Sequence, residues 1–232
     1  ITRGLPQIGR INLAYIYDTR WRIKNQMSVV RQAEDHFTLI TAASAQWHDC
    51  DVLNARLPEG LALTDHTTEF STLIVTGPKA RDVLTAMGTD ADLTLGWLTH
   101  QTVKVAGQIC TLLRVSFAGE LGWEIHAKND KIPALYHSVV AAGAKPFGMY
   151  ALNSLRIEKG YRAWKGDLST DYTLFEGGLG RFVKLNKSQD FPGKTALQNE
   201  KQQGCKKMFA TLIVDAGAWD APYMSTIWHG DE

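Results

Sequence analysis

Two carboxylates and two glycines are packed into residues 114–127 (RVSFAGELGWEIHA), and no other stretch of the chain gathers as much chemistry into so few positions. Residues 112–116 read as a strand of branched apolar residues, and Trp123–Ala127 as a second strand. Gly119 and Gly122 lie in the turn between them, where backbone can approach backbone or a ligand with no Cβ in the way. Side chains alternate along a strand, so Trp123, Ile125 and Ala127 share one face while Glu124 and His126 share the other. A carboxylate at the start of a strand, beside a glycine turn and among apolar strands, suits a flat, nitrogen-rich ring. The same spacing also fits a solvated carboxylate on the wet face of an antiparallel sheet, the reading that spacing alone favours.

The elements that must position this stretch are legible in order. Gly9–Tyr17, Ile23–Gln32 and His36–Thr41 alternate and are rich in branched and aromatic residues, which predicts three strands. Ala42–Leu57 predicts a helix, with Ala45, Trp47, Val52, Leu53 and Leu57 on its apolar stripe and Pro58 and Gly60 ending it. Ser71–Thr76 predicts a strand, and Lys79–Met87 a helix led in by Gly77 and Pro78. Gln101–Ala106 and Gln108–Ser116 predict a hairpin around Gly107. Asp130–Ala142 predicts a helix burying Ile132, Leu135, Tyr136, Val139 and Val140. Phe147–Gly160 predicts another, with Tyr150, Leu152, Leu155 and Ile157 among its apolar positions; its Arg156 and Glu158 stand two apart, do not face each other, and pair with other segments to fix the following loop. Lys194–Lys201 predicts a short helix, and Lys207–Val214 a strand that opens a new unit. Locally paired strands interleaved with helices indicate an α+β fold of mainly antiparallel sheet.

Length and composition narrow the function classes. The 232 residues are enough for one large or two small cores. A net charge of +1 gives no electrostatic case for nucleic acid, and no apolar run approaches the ~20 residues of a membrane span, so neither is an expected partner. Cys50, Cys110 and Cys205 are far apart and form no CxxC, which argues against a disulfide framework or structural zinc and predicts a cytoplasmic location. The chain has no GxGxxG after a strand, no GxxxxGK[ST], no HExxH and no GxSxG, and its histidines are dispersed. No metal is expected. Ile1 is not a natural start, and residues upstream of it are expected.

Five ordered blocks together resemble the folate-binding region of the aminomethyltransferase family. They are residues 76–80 (TGPKA), 117–124 (FAGELGWE), 153–160 (NSLRIEKG), 161–167 (YRAWKGD) and 191–194 (FPGK). The wording is most similar to the branch formed by the C-terminal regions of dimethylglycine and sarcosine dehydrogenases, and the likeness covers nearly the whole chain. The resemblance implies two α+β lobes, about 1–60 and 61–145, with a helical segment 146–205 packed on both. Residues 206–232 would begin a truncated C-terminal β-barrel. It implies tetrahydrofolate as the bound molecule and transfer of a one-carbon unit from an amine-derived iminium to give methylenetetrahydrofolate. FAD would belong only to an upstream flavin dehydrogenase domain outside this chain.

The resemblance also implies site residues. Glu124 matches the glutamate that clasps the pterin ring, and a carboxylate accepting two parallel N–H bonds is geometry-selective. Leu13 and Ile40 match apolar positions on the ring, Phe117 matches a tyrosine of the glycine turn, and Tyr161 and Trp164 stand in the loop beside it. Gln26 matches the catalytic aspartate near the reactive folate nitrogen. Gln26 and Phe117 depart from the pattern, as do Leu152, in place of an arginine toward the folate tail, and Asn153, in place of an aspartate. A neutral amide is no general base near pH 7, so a folate- or pterin-binding module without catalysis stands as the alternative. Arg156, Arg162 and Lys165 are the cations left for the anionic tail.

Overall fold

The computed structural model describes residues 4–215, 217–219, 221, 222, 224–228 and 230. Two antiparallel sheets organise it. The first has the order β1 (Ile11–Tyr17), β2 (Ile23–Arg31), β3 (Phe37–Ile40). Helix α1 (Gln46–Asn54) lies on one of its faces, where Leu53 packs with Ala14, Met27 and Val29. The second sheet contains β4 (Phe70–Thr76), β5 (His100–Val105), β6 (Gln108–Leu113) and β7 (Gly122–Lys128), in the spatial order β4-β7-β6-β5. Helices α2 (Ala80–Ala86) and α3 (Ile132–Ala141) cover one face of it, around a core that includes Leu84, Trp123, Ile125 and Leu135. Helix α4 (Met149–Glu158), irregular chain and α5 (Lys194–Gln203) follow.

Strand alternation explains how the sheets are layered. In β7, Trp123, Ile125 and Ala127 are buried, while Glu124 and His126 are half-buried on the opposite face. The β5–β6 hairpin turns through Ala106 and Gly107, both with positive φ, the geometry whose twist matches the flanking strands. β6 stops at Leu113, short of the expected Ser116. Arg114 leaves the β7 ladder there and exchanges backbone hydrogen bonds with Leu98 and Thr99 instead, at 3.0 and 2.8 Å.

The two sheets meet along a seam. A backbone bridge joins Arg10 to Thr99, and the Ile11 N–H donates to the Leu98 carbonyl at 2.9 Å. The His100 ring nitrogen Nε2 lies 2.8 Å from the Arg31 carbonyl oxygen. Beneath these contacts Leu113 packs against Ile11, Val30 and Ile40.

Four further expectations need correction. The helix after β3 is shorter than Ala42–Leu57, because Ala43–Ala45 forms a 3₁₀ turn, and Trp47 is 77% exposed. On α3, Leu135 and Val139 are buried but Tyr136 and Val140 are exposed, the inward stripe being narrower than the apolar pattern. Residues 207–214 form no strand: they have no ladder partner, and Ile213 stands in solvent. On α4 the inward stripe is Leu152 and Arg156, one turn apart, which leaves Tyr150 94% exposed.

Arg156 fixes the loop that follows its helix, as its sequence position suggested. Its guanidinium donates to the Asn153 side-chain oxygen at 2.7 and 3.0 Å, to the Tyr161 carbonyl at 3.1 Å, and to Asp167 Oδ2. The same Asp167 oxygen accepts from the Ala163 N–H at 2.8 Å. A buried guanidinium needs this set of acceptors, and removing one leaves an uncompensated charge. Asp167→Ala is therefore expected to lose about 2–4 kcal/mol of stability, somewhat below a fully buried pair because the Asp167 side chain is 21% exposed. Urea denaturation of parent and variant measures it, and an unchanged midpoint would show that the loop is held elsewhere.

Candidate functional site

Register places the positions of the first sheet. Leu13 pairs with Ser28, Ser28 with Ile40, and Tyr15 with Gln26. Directly paired residues point to the same side, so Leu13, Tyr15, Gln26, Ser28 and Ile40 share one face, opposite α1. One end of that face is closed by the seam, through Ile11, Val30 and Ile40. The other end is closed by Leu168, Leu174, Leu179 and Phe182, which pack on Tyr15. Leu13, Gln26 and Ser28 lie between these two contacts.

Glu124 faces the same region. It pairs with Leu113, and Leu113 is the residue that packs on the first sheet, so the Glu124 carboxylate stands on the side of β7 turned toward that sheet. Its Oε2 lies 2.9 Å from His126 Nε2, and His126 Nδ1 lies 3.1 Å from the Thr72 hydroxyl on β4. Among the described residues His126 occupies one carboxylate oxygen, and Oε1 has no hydrogen-bond partner. The bond to His126 was not foreseen. Its signal was present in the sequence, since residues two apart on a strand share a face.

The glycine turn is pinned on both sides. The Gly77 N–H donates to the Leu121 carbonyl at 2.8 Å, and the Thr76 and Ser116 hydroxyls are 3.1 Å apart. A Cβ at Gly122 would lie 2.9 Å from the Ser116 Cβ. At Gly119, φ is +80° and a Cβ would sit 2.5 Å from Lys159 Cγ, at the end of α4. The Phe117 and Tyr161 rings stack beside this contact, with centroids 6.1 Å apart and planes 12° apart.

Between the turn and the loop after α4 lies an open cavity of about 720 Å³. Its walls include Arg114, Ser116, Glu120, Lys159, Tyr161, Arg162 and Arg181. Tyr161 lines it; Glu124, Gln26, Leu13, Ile40, Phe117 and Trp164 are not among its walls. Burial pushes the Tyr15 hydroxyl well above the ordinary tyrosine range, and the charges of Arg181 and Arg162 pull it back down. These two cavity cations thus act on the residue that pairs directly with Gln26.

Two of the expected residues leave buried polar atoms unpaired. Gln26 Oε1 and Trp164 Nε1 have no hydrogen-bond partner among the described residues. Trp164 packs at the Tyr15 end of the shared face. A buried polar atom without a partner costs about 1–3 kcal/mol, so one acceptor and one donor at this face suit a molecule carrying both kinds of group. The tetrahydrofolate that the sequence resemblance implies carries both kinds of group. Arg156 does not serve its tail, because its guanidinium is buried and spent on Asn153, Tyr161 and Asp167. No group of metal-binding side chains occurs among the described residues.

Comparison with known proteins follows the same lines. Residues 2–187 match the family model described as the GCVT N-terminal domain. Dimethylglycine dehydrogenase, mitochondrial, of Mus musculus is 33% identical over 234 residues, covering 97% of this chain and 27% of that protein. An aminomethyltransferase of Natranaerobius thermophilus is 31% identical over 196 residues, 82% of this chain and 53% of that protein. The structure of glycine cleavage system aminomethyltransferase T from Bartonella henselae matches with a TM-score of 0.73 and 26% identity, covering 86% of this chain and 55% of that one. The chain therefore spans about a quarter to a half of the length of these relatives.

The turn geometry is open to test. Gly119→Ala combines a positive φ, costing about 1 kcal/mol, with overlap on Lys159. A stability loss of about 1–3 kcal/mol is expected in urea denaturation. A neutral substitution would mean that the turn does not rest on α4.

Proposed function

This chain belongs to the family of the GCVT N-terminal domain, the aminomethyltransferases, and from that premise we propose that it binds tetrahydrofolate and accepts a one-carbon unit from an iminium derived from an N-methyl amine. The observation that carries the reading is the shared face. Among the described residues Gln26 offers an unpaired buried acceptor there, Leu13 and Ile40 flank it, and Glu124 is turned toward it from the second sheet with one carboxylate oxygen unpaired.

Each residue has a role in this reading. Glu124 accepts from the ring's exocyclic amine and adjacent N–H, and His126 holds the carboxylate in one orientation. Leu13 and Ile40 pack on the ring, and Phe117 and Tyr161 close its edge by the glycine turn. Trp164 offers its indole N–H. Gln26 Oε1 accepts from a folate N–H and fixes the reacting nitrogen, but the amide takes no proton near pH 7. Bound tetrahydrofolate supplies the chemistry: its nitrogens take the methylene carbon, and the amine leaves as an ammonium with the two displaced hydrogens. An upstream flavin dehydrogenase domain that generates the iminium is the partner this reading calls for. The cysteine spacing favours a reducing compartment such as the cytoplasm.

Gln26 also favours a second reading, in which the site holds a folate or pterin and does not turn it over. The two are separated by titrating tetrahydrofolate against tryptophan fluorescence, then adding formaldehyde or an iminium donor and assaying methylenetetrahydrofolate. The first reading expects both binding and turnover. Binding without turnover, with turnover appearing in Gln26→Asp, selects the second. Absence of binding overturns both.

Glu124→Gln is expected to weaken binding by about 1.5–3 kcal/mol, roughly ten- to a hundredfold, the scale of a hydrogen bond to a charged group. His126→Ala is expected to weaken it by about 0.5–1.5 kcal/mol, with little further loss in the Glu124→Gln background, because His126 acts through that carboxylate. Unchanged affinity in Glu124→Gln would place the clasp elsewhere. Additive losses in the double variant would separate His126 from it.

A further inference from the structure

The tie between His126 and Glu124 has a third member. On β4, Thr72 stands directly across the ladder from His126, and Ile74 directly across from Glu124. On β6, Thr111 flanks His126 from the other side and Leu113 flanks Glu124. Two threonines thus bracket the imidazole, one on each neighbouring strand. Among the described residues only the Thr72 hydroxyl is hydrogen-bonded to it, 3.1 Å from Nδ1, while Nε2 lies 2.9 Å from Glu124 Oε2. The line runs across two strands, from the exposed Thr72 to the side chains of His126 and Glu124, which are 17% and 21% exposed.

Proton accounting gives this line a direction. An ionised carboxylate accepts and cannot donate, so Nε2 carries the hydrogen that meets Oε2. In the neutral imidazole Nδ1 is then a bare acceptor, and the Thr72 hydroxyl is its donor. Both bonds point toward the carboxylate, and each polarises the next.

Stiffness shows which member positions the others. Glu124 hangs on rotatable bonds, and the last torsion of a histidine side chain is broad and roughly two-fold, so the ring can sit turned over. A half-turn would put Cδ2 in the place of Nδ1 and Cε1 in the place of Nε2, and both bonds would be lost. Threonine is β-branched and restricted at χ1, so its hydroxyl is the fixed end of the line.

We infer that Thr72 is a positioning residue for the Glu124 clasp: its hydroxyl holds the His126 ring with Nε2–H toward Oε2, and so presents Oε1 to the ring site. The inference rests on the proposed folate reading for what the clasp holds. It extends that reading to a residue on another strand, which acts only through the imidazole.

Two measurements test it. Nitrogen NMR of the histidine side chains reads the tautomer and needs no ligand. At about pH 8, where an ordinary imidazole is neutral, His126 of the parent is expected in the Nε2–H form with Nδ1 hydrogen-bonded. Thr72→Val keeps the β-branched shape, removes the hydroxyl, and is expected to average the two tautomers. Titration of tetrahydrofolate by tryptophan quenching then reads the clasp. Thr72→Val is expected to weaken binding about two- to fivefold, within the scale of one neutral hydrogen bond. Thr72→Ser is expected to return both readouts to the parent's. In the His126→Ala background Thr72→Val should add no further loss, because it acts through that ring. Thr111→Val removes the hydroxyl on the other side and should change neither readout. Thermal melts confirm folding, and Thr72→Ala makes the same test should the valine variant not fold.

A parent in the Nδ1–H form overturns the inference. So does a folded Thr72→Val with the parent's tautomer or the parent's affinity, a Thr72→Ser that behaves like Thr72→Val, or additive losses in the double variant. An equal effect of Thr111→Val also overturns it, since both threonines would then act through packing. Failure of tetrahydrofolate to bind the parent overturns the folate reading instead, and the tautomer, read without ligand, keeps the two failures distinct.

Discussion

The contact of Leu113 with Ile11, Val30 and Ile40 decides what the rest of the molecule can do. It ties the second sheet to the first, and its direction is fixed by the pleat of β6. Burying a side chain of this size contributes about 1.5–3 kcal/mol, so the seam is a substantial part of a marginal total. Because β-pairing aligns neighbours, the same contact dictates where Glu124 points. A one-residue slip of β7 against β6 would turn Glu124 into the helix-covered core, and would bring Trp123 and Ile125 out in its place. An unpaired carboxylate in that core would cost several kcal/mol. Register is therefore held by Ile125 and Trp123 on one side of the sheet, for the benefit of a charged residue on the other.

A second constraint is electrostatic. The region between the sheets gathers one carboxylate with an imidazole, and the neighbouring cavity gathers four cations with one acid. The two are joined through the backbone at Arg114 and Gly122, where the guanidinium donates to the carbonyl two residues before Glu124. Burial, and then the charge of Arg81, depress the pKa of Arg114, yet arginine stays protonated near neutrality. Trp123 lies beneath it and shields its charge from the core. The glycines of the turn matter because this traffic is close: at Gly119 the end of α4 comes where a Cβ would be.

Much of this was legible in the sequence where a single local pattern decided the outcome. Strand alternation gave both faces of β7 before any contact was known, and the turn residues around Gly107 marked the hairpin. The two-residue spacing of Arg156 and Glu158 predicted that both pair with other segments to fix the loop; Arg156 does, while Glu158 is exposed and has no ion pair among the described residues. The pattern failed where apolar residues are not core. Trp47 and Tyr150 carry apolar area but stand off the inward stripes of α1 and α4, and nothing in their spacing alone places them outside. Residues 207–214 have strand composition and no strand to pair with, and composition cannot supply a partner. The cavity was least visible. Arg162 was a candidate for an anion, but Arg114, Lys159 and Arg181 come from segments brought together only by the fold. The tie of His126 to Glu124 needed cross-strand geometry as well as spacing.

Gln26 separates the geometry of the site from its chemistry. The half-buried amide pairs with Tyr15 across the ladder, and its buried oxygen has no partner among the described residues, a place that the proposed reading fills with a ligand N–H. A carboxylate at the same place would be charged beside buried tyrosine and apolar side chains, at a desolvation cost that the amide avoids. In the proposed reading the amide thus favours occupancy and offers no base at this position. If transfer proceeds here, the proton of the reacting nitrogen must leave with the departing amine, which is basic enough to carry it. Rate would then depend on the amine and on how long the ring is held, and the protein's contribution would be orientation. Orientation is what the seam, the His126 contact and the pinned glycine turn together supply.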